Sequence, residues 1–433
     1  MTWEGAWVRS TATRRRAGLA LLVATAVGCS SAADSGSGTT NSPSTTEPAR
    51  ADVTDPIATT ADAAPPTISP TATAPAPAPS EPPPSGNPTT APPGEPGACI
   101  TDLGVRERIA LLVWPAVYAN DWSEAVDTVR MNDVGGVLLM SQAGVDADEL
   151  RSRLLELEAA SRHGLIVSTD EEGGDVQRLR NLGELPSQRQ VSQDLSPDAA
   201  TDLIAEHGTI VRSAGVDMVL GPVVDVEPNV GEVPLQPSRF FDGNPDVVTD
   251  YAAAYLSGWE RAGLLATLKH YPGHGAASGD THITVGVTPS LDDLRDFDLK
   301  PYRDLVAQAA ATDAAVMVGH LTVPGLTDGV PATRSAAAVA YLRNDLGYGD
   351  ALLITDALGM AAVGIPEPEA SVLAIAAGID VVLFTMTSRT DEVIDALEQA
   401  VTDGRIKIGD IDDAAQKVMA LLGRDGHTCN GNR

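Results

Sequence analysis

A dense group of polar residues follows one short apolar run of this chain. Residues 269–275 read Lys-His-Tyr-Pro-Gly-His-Gly, and residues 280–282 read Asp-Thr-His. Because Pro272 and the glycines around it disfavour a helix, we expect these residues on a loop that follows a strand at residues 264–268. Loops held by a rigid scaffold are where binding and catalytic residues concentrate, so this stretch is the first candidate for a functional site.

Proton transfer is the chemistry that this stretch suits best. A histidine titrates near neutrality, so His282 can donate and accept a proton, and Asp280 can orient its ring.

A metal site is the weaker interpretation of the same stretch. The possible zinc ligands are His270, His274, Asp280 and His282. Pro272 breaks the helix that would bring His270 and His274 to one face, and no H-E-x-x-H pattern occurs, so we predict no metal.

A second candidate group is Asp356, which ends the apolar run at residues 352–355. A carboxylate at such a position can attack the anomeric carbon of a sugar, as in a retaining glycosidase, while a second group protonates the leaving oxygen. The alternative is that Asp356 caps a following helix, and its neighbours do not decide between the two. A serine nucleophile has no support, because no G-x-S-x-G pattern is present.

The scaffold for these groups is predicted from eight short runs that are apolar on both faces. They lie at residues 110–114, 136–140, 165–168, 216–220, 264–268, 315–319, 352–355 and 381–384. Amphipathic segments follow most of them, for example at residues 147–161, 245–262, 291–311 and 391–402. This is the pattern of parallel strands covered by helices. It predicts an α/β fold made of a single (β/α)8 TIM-like barrel, and no G-x-G-x-x-G pattern supports a dinucleotide-binding sheet.

Polar residues stand where such a barrel would need them. Function gathers at the carboxyl ends of barrel strands, and polar residues follow or end five of the eight runs. They are Asp170, Asp225, Lys269 with His270, His320 and Asp356. We expect these side chains at one end of the barrel, some of them in the site and others as buried supports.

The N-terminal region predicts export. Residues 1–28 combine a basic cluster with an apolar core at residues 17–27 that is too short to span a bilayer, which is typical of a signal peptide. The small residues before Cys29 resemble a bacterial lipobox, so we predict lipidation of Cys29; an ordinary secretory peptide is the alternative. Residues 29–98, rich in Pro, Ser, Thr and Ala, predict a disordered linker before the folded region at residues 99–433.

Two further cysteines bracket the folded region. Cys99 lies at its first residue and Cys429 close to its last. In an exported protein such a pair suggests a disulfide, with two unpaired thiols as the alternative.

The charge of the chain limits its partners. Its 433 residues carry a formal net charge of -30. Electrostatic repulsion therefore disfavours nucleic acid and anionic membrane surfaces, and we expect membrane contact only through the lipid anchor.

Several motifs resemble one enzyme family. Residues 269–275 with 280–282 resemble the signature K-H-F-P-G-H-G-x4-D-S-H of bacterial β-N-acetylglucosaminidases of glycoside hydrolase family 3, including cell-wall lipoproteins. Other similar segments lie at residues 170–174, 221–226, 239–241, 331–335 and 355–360. The resemblance covers residues 101–424.

The resemblance implies a role for each matching residue. Asp356 would be the nucleophile, His282 the general acid/base and Asp280 its partner. The residues implied to hold the sugar are Asp170, Arg239, Lys269 and His270. Glu171 and Asp175 depart from the family pattern, and we expect both to add negative charge near the sugar. No cofactor is implied.

The function predicted by the resemblance is that of a retaining exo-β-N-acetylglucosaminidase. It would remove terminal GlcNAc from peptidoglycan-derived muropeptides through a covalent glycosyl-enzyme, as a monomer anchored to the cell membrane and facing the cell wall. Two alternatives stay open. One is a β-N-acetylglucosaminide phosphorylase, which uses phosphate in place of water, and the other is a sugar-binding lipoprotein without turnover.

Overall fold

The computed structural model describes residues 100–142, 144–228, 235–279, 281 and 284–423. Several predicted features lie outside these residues: the signal peptide, the linker, Cys29, the Cys99–Cys429 disulfide, and the side chains of Asp280 and His282. They stay predictions.

Twelve α-helices are described. They are α1 (Val105–Leu111), α2 (Trp122–Asn132), α3 (Ala147–Ala160), α4 (Gln188–Asp194), α5 (Pro197–Ser213), α6 (Pro245–Arg261), α7 (Leu291–Leu294), α8 (Lys300–Ala311), α9 (Ala336–Ala340), α10 (Glu367–Ala376), α11 (Thr390–Thr402) and α12 (Ile408–Leu421). Short 3-10 turns lie at Ile100–Asp102, Arg180–Leu182, Pro237–Arg239, Ala332–Arg334, Ala361–Val363 and Thr387–Arg389, and a π-helical turn lies at Tyr341–Asp345. Within the described residues, none of the helices has both the length and the apolar character needed to cross a bilayer.

The sequence of α5 shows how these helices form and pack. Ser196 caps its N-terminus by accepting a hydrogen bond from the backbone of Ala199, and Pro197 occupies the first turn. The buried residues of α5 recur at helical spacing on one face, which packs against α6. Gly258 of α6 allows this close approach, because a Cβ there would lie 2.7 Å from Ile204 Cβ.

The strands are short and mostly buried. They are β1 (Val113–Val117), β2 (Gly136–Leu139), β3 (Ile166–Thr169), β4 (Glu171–Gly173), β5 (Val176–Gln177), β6 (Met218–Val219), β7 (Thr267–Tyr271), β8 (Gly286–Val287), β9 (Ala315–Val318), β10 (Leu321–Thr322), β11 (Leu353–Thr355) and β12 (Val382–Phe384). One parallel sheet has the order β12-β1-β2-β3-β6, and a second has the order β11-β9-β7. Every residue of these eight strands is buried, as expected for sheets covered by helices.

Isolated parallel bridges connect the edges of the two sheets. Met218 pairs with Leu265 between β6 and the residues before β7, and Ile354 on β11 pairs with Val381 directly before β12. Two small sheets lie beside the main ones: β4 and β5 form an antiparallel hairpin, and β8 pairs with β10 in parallel. The predicted α/β class with parallel strands is confirmed.

Each of the eight predicted apolar runs overlaps one of the eight strands in the two main sheets. The structure differs from the prediction in three details. The first strand lies at Val113–Val117 instead of residues 110–114, because the chain is helical up to Leu111. Lys269 and His270 were expected on a loop and lie inside β7. The single helix predicted at residues 291–311 is interrupted at residues 295–299 between α7 and α8.

Candidate active site

The carboxyl ends of three neighbouring strands align the candidate groups. Tyr271 on β7 and Thr355 on β11 both pair with Val318 on β9. The backbone of Asp356 then donates to Val318 O at 2.9 Å, which fixes the residue at this edge. Because neighbouring strands lie about 4.8 Å apart, the backbones of Tyr271 and Thr355 are about 10 Å apart. Side chains beside both strand ends can therefore reach one ligand the size of a sugar.

Lys269 lies at the centre of an ion cluster on this edge. Its Nζ is 2.8 Å from Asp170 Oδ1 and 2.6 Å from Glu172 Oε1. The Lys269 and Glu172 side chains are 2% and 1% exposed, whereas 15% of the Asp170 side chain is exposed. Of these two carboxylates, Asp170 is therefore the one that retains surface for a ligand.

Two arginines complete the cluster. Arg239 donates from Nε and Nη2 to the two oxygens of Glu172, both at 2.8 Å, in the bidentate geometry that gives strong pairs. Its Nη2 also lies 3.4 Å from His270 Nε2. Arg178 donates from Nε and Nη2 to Asp170 Oδ2 at 3.3 and 3.2 Å. Each carboxylate of the cluster is thus held by two cations.

The members of the cluster keep one another ionised. Burial raises the pKa of Asp170, but Lys269 and Arg178 outweigh this effect and hold the pKa well below its usual range. Burial also opposes ionisation of Glu172, and Arg239 and Lys269 lower its pKa. Burial lowers the pKa of Lys269, while Asp170 and Glu172 raise it above its ordinary value. At neutral pH the site therefore presents fixed charged donors and acceptors.

Asp225 organises the histidines beside this cluster. Its Oδ2 lies 2.7 Å from His270 Nδ1, and its Oδ1 accepts from His274 N at 2.7 Å. Burial raises the pKa of Asp225, but His270 and the other donors lower it overall, so the carboxylate is ionised. An ionised carboxylate only accepts, so His270 Nδ1 donates to Asp225 Oδ2, and His270 Nε2 lies beside Arg239 Nη2.

The residue after Asp356 holds its carboxylate, and His320 contacts that same residue. Its Oδ1 accepts from Ala357 N at 2.8 Å. His320 Nε2 lies 3.0 Å from Ala357 O, and its Nδ1 lies 2.9 Å from Thr333 Oγ1. No described α-helix begins at Asp356, since α10 starts only at Glu367, so the helix-cap interpretation has no support.

The structure brings Asp170, Arg239, Lys269 and His270 together and places Asp356 two strands away on the same edge. Thr281, the residue between the predicted dyad members, is buried, with Oγ1 2.9 Å from His274 Nε2. Within the part of the chain that the structure describes, no group of three His, Cys, Asp or Glu residues is arranged to hold a metal ion.

Arg178 is a site residue that the sequence reasoning missed. The β4–β5 hairpin pairs Glu171 with Gln177, which returns the chain so that Arg178 N donates to Asp170 O at 3.0 Å. The signal was the Gly-Gly turn at residues 173–174, since a hairpin there brings the residues on either side into contact.

The expectation for Glu171 was wrong. Its side chain is buried, with Oε1 accepting from Leu179 N at 2.7 Å and Oε2 lying 3.5 Å from His207 Nε2. Successive strand residues point to opposite faces, so Glu171 is turned away from the cluster that its neighbours Asp170 and Glu172 join. Asp175 accepts a hydrogen bond from Ser238 at the surface.

Comparison with known proteins identifies a family. Residues 104–421 match the model described as Glycosyl hydrolase family 3 N terminal domain. Beta-hexosaminidase LpqI of Mycobacterium tuberculosis is 39% identical over 339 residues, which cover 76% of this chain and 85% of that protein. The Beta-hexosaminidase of Stenotrophomonas maltophilia is 33% identical over 285 residues, which cover 63% of this chain and 82% of that protein.

Solved structures of similar proteins align with most of this chain. The structure of M. tuberculosis LpqI aligns with a TM-score of 0.69 at 38% identity, covering 76% of this chain and 98% of that one. A glycosyl hydrolase of the GH3 family from Mycobacterium smegmatis aligns with a TM-score of 0.67 at 37% identity, covering 75% of this chain and 98% of that one.

Proposed function

The chain belongs to glycosyl hydrolase family 3 and is a glycosidase, and we propose that it is a retaining β-N-acetylhexosaminidase that removes terminal GlcNAc from peptidoglycan-derived muropeptides. The observation that carries this proposal is the placement of Asp356 two strands from a preformed charged cluster at the same strand edge. The two relatives described above, at 39% and 33% identity, are both named Beta-hexosaminidase, which supports the hexosamine specificity.

The proposed reaction is a double displacement. Asp356 attacks the anomeric carbon and forms a covalent bond to it, while protonated His282 gives its proton to the departing glycosidic oxygen. Neutral His282 then takes a proton from water, the resulting hydroxide attacks the same carbon, and the bond to Asp356 breaks. Two inversions return the β configuration, and Asp280 stabilises the imidazolium form of His282 before the first displacement and after the second.

The charged cluster would hold the sugar during both steps. Asp170 is the partly exposed carboxylate and can accept from two sugar hydroxyls, while Lys269 and Arg239 donate to neutral oxygens. Because Glu172 and Asp225 already orient these cations and His270, the donors need little rearrangement when the sugar binds. This preorganisation suits a rigid, neutral pyranose.

We further propose that the two parallel sheets form one closed (β/α)8 barrel. The bridges from Met218 to Leu265 and from Ile354 to Val381 join both pairs of sheet edges, which supports closure.

The protein is proposed to act as a monomer that is exported and tethered through a lipid on Cys29. Loss of the protein from the membrane fraction on Cys29→Ser, with its appearance in the medium, tests the tether.

A single assay separates the proposed activity from its rivals. Hydrolysis of an aryl β-GlcNAc is compared with that of the matching aryl β-glucoside, each with and without phosphate. We expect turnover of the GlcNAc substrate with GlcNAc as the product in both buffers. Accumulation of GlcNAc-1-phosphate would show a phosphorylase instead, and preference for the glucoside would remove the hexosamine specificity.

The role of Asp356 is tested separately. Asp356→Asn should lower kcat by at least about 10³-fold while GlcNAc binding persists, because the nucleophile is lost and the charged cluster is intact. Asp350→Asn, at an exposed position, is the matched control and should leave activity unchanged. Peptide mass spectrometry after reaction with a 5-fluoro GlcNAc fluoride should place the adduct on Asp356, and an adduct on another residue would refute the assignment.

A further inference from the structure

We propose that Thr281 is a positioning residue for the general acid/base, through its hydrogen bond to His274. This inference rests on the proposed function, in which His282 transfers protons and Asp280 supports its ring. Thr281 lies directly between these two residues in the chain. Its position therefore limits where both neighbours can be, without Thr281 touching the substrate.

Thr281 is held from three directions. Its side chain is buried, and Oγ1 lies 2.9 Å from His274 Nε2. Its carbonyl oxygen accepts from Ala362 N at 3.1 Å. Gly286 packs against its methyl group, since a Cβ at Gly286 would lie 3.1 Å from Thr281 Cγ2. These contacts hold both the side chain and the backbone of Thr281 in place.

The His274 ring packs edge-on against the His270 ring and forms a hydrogen bond with Thr281. Its backbone N donates to Asp225, which fixes the residue, and the imidazole is buried. Burial lowers the pKa of His274 to about 4, so the ring is neutral at physiological pH. Nδ1 has no hydrogen-bond partner among the described residues, so the contact with Thr281 is the one hydrogen bond of this ring there.

The contacts of Thr281 connect the acid/base segment to the sugar-holding cluster and to the segment that carries the nucleophile. Asp225 joins His274 to His270, which contacts the sugar-holding cluster. Ala362 belongs to the 3-10 turn Ala361–Val363, which follows Asp356 on the same loop. Thr281 thus ties the chain at the acid/base to the residues that hold the sugar and to the segment that carries the nucleophile. A misplacement of about 1 Å of a catalytic group can cost about 10²-fold in rate.

The test uses leaving groups of different acidity. Thr281→Val keeps the shape and removes the hydroxyl, Thr281→Ser keeps the hydroxyl, and Thr288→Val removes another buried hydroxyl of the same segment as the control. kcat/KM is measured for 2,4-dinitrophenyl β-GlcNAc, which needs no general acid, and for phenyl β-GlcNAc, which does.

For Thr281→Val we expect a loss of about 10–100-fold with the phenyl substrate and less than about threefold with the dinitrophenyl substrate. Azide should raise its kcat on the dinitrophenyl substrate by replacing the water that lacks a well-placed base. Thr281→Ser should restore most of the phenyl activity, and Thr288→Val should change neither substrate. The affinity for GlcNAc should be unaltered throughout.

Equal losses on both substrates, or no loss on either, would overturn the inference. If Thr281→Val does not fold, Thr281→Ala with Thr281→Ser applies the same comparison of leaving groups. Wild-type protein that turns over neither substrate would instead refute the proposed function, so the two failures are distinguishable.

Discussion

Removal of the charge on Glu172 tests whether the buried cluster stabilises the fold. In Glu172→Gln the carboxylate that accepts two bonds from Arg239 at 2.8 Å and contacts Lys269 at 2.6 Å becomes a neutral amide. Breaking a buried ion pair by removing one partner costs about 3–5 kcal/mol, because the remaining charge stays buried and unpaired. Here the cost should be smaller, about 2–3 kcal/mol, since Lys269 keeps Asp170 at 2.8 Å and the amide keeps one acceptor.

The expected shift can be measured by calorimetry at neutral pH. Unfolding entropy is about 2 cal/mol/K per residue, or about 0.65 kcal/mol/K for a folded region of about 320 residues, so Tm should fall by about 3–5 °C. Glu260→Gln, at an exposed position of α6, should shift Tm by less than about 1 °C. An unchanged Tm for Glu172→Gln would show that the cluster gives no net stabilisation and is retained only for ligand contact.

Two further changes test burial at the base of the site. Burial, reinforced by Asp225, raises the pKa of Asp298 to about 8, so the folded state holds a proton that the unfolded state releases near pH 4. The stability that this proton contributes is full below pH 4. It is lost as pH rises through about 8, at about 1.4 kcal/mol per pH unit. Asp298→Asn should remove this slope. In urea unfolding, the free energy of unfolding of the variant should therefore rise relative to that of wild type between pH 5.5 and 7.5, and a constant difference would contradict the assigned pKa. Gly275→Ala should destabilise the protein strongly in urea unfolding, because a Cβ there would lie 1.8 Å from the backbone oxygen of Val226. The control is Gly409→Ala, whose Cβ would meet nothing within 4 Å, and it should be neutral or slightly stabilising. Equal effects of the two changes would show that the turn at Gly275 can relax.

Apolar runs predicted the central strands because both faces of each strand are covered. Their boundaries were less predictable where no polar or breaking residue intervenes. From Ile109 to Val117 the chain is buried almost throughout, although α1 ends at Leu111 and β1 begins at Val113. Burial on a helix face and burial in a strand give the same apolar signal over so few residues, so the sequence placed this strand too early.

The site was predicted from motif spacing, but its electrostatics were not. Lys269 was assigned to a loop because Pro272 and the glycines around it disfavour a helix. It is buried in β7 because carboxylates from another strand end neutralise it, and one of them, Asp170, lies 99 positions away in the chain. The sequence placed both residues at one end of the barrel, but it did not show that they form an ion pair.

Three consecutive acids show the same limit more sharply. Asp170, Glu171 and Glu172 have similar chemistry, yet one is partly open to ligands, one is buried against His207 and Leu179 N, and one is buried between two cations. Strand alternation separates Glu171 from its neighbours, and the hairpin that follows supplies Arg178 to Asp170 alone. The acid that is available to a substrate is therefore decided by which partners the fold brings to the others, and a motif reports only that all three are present.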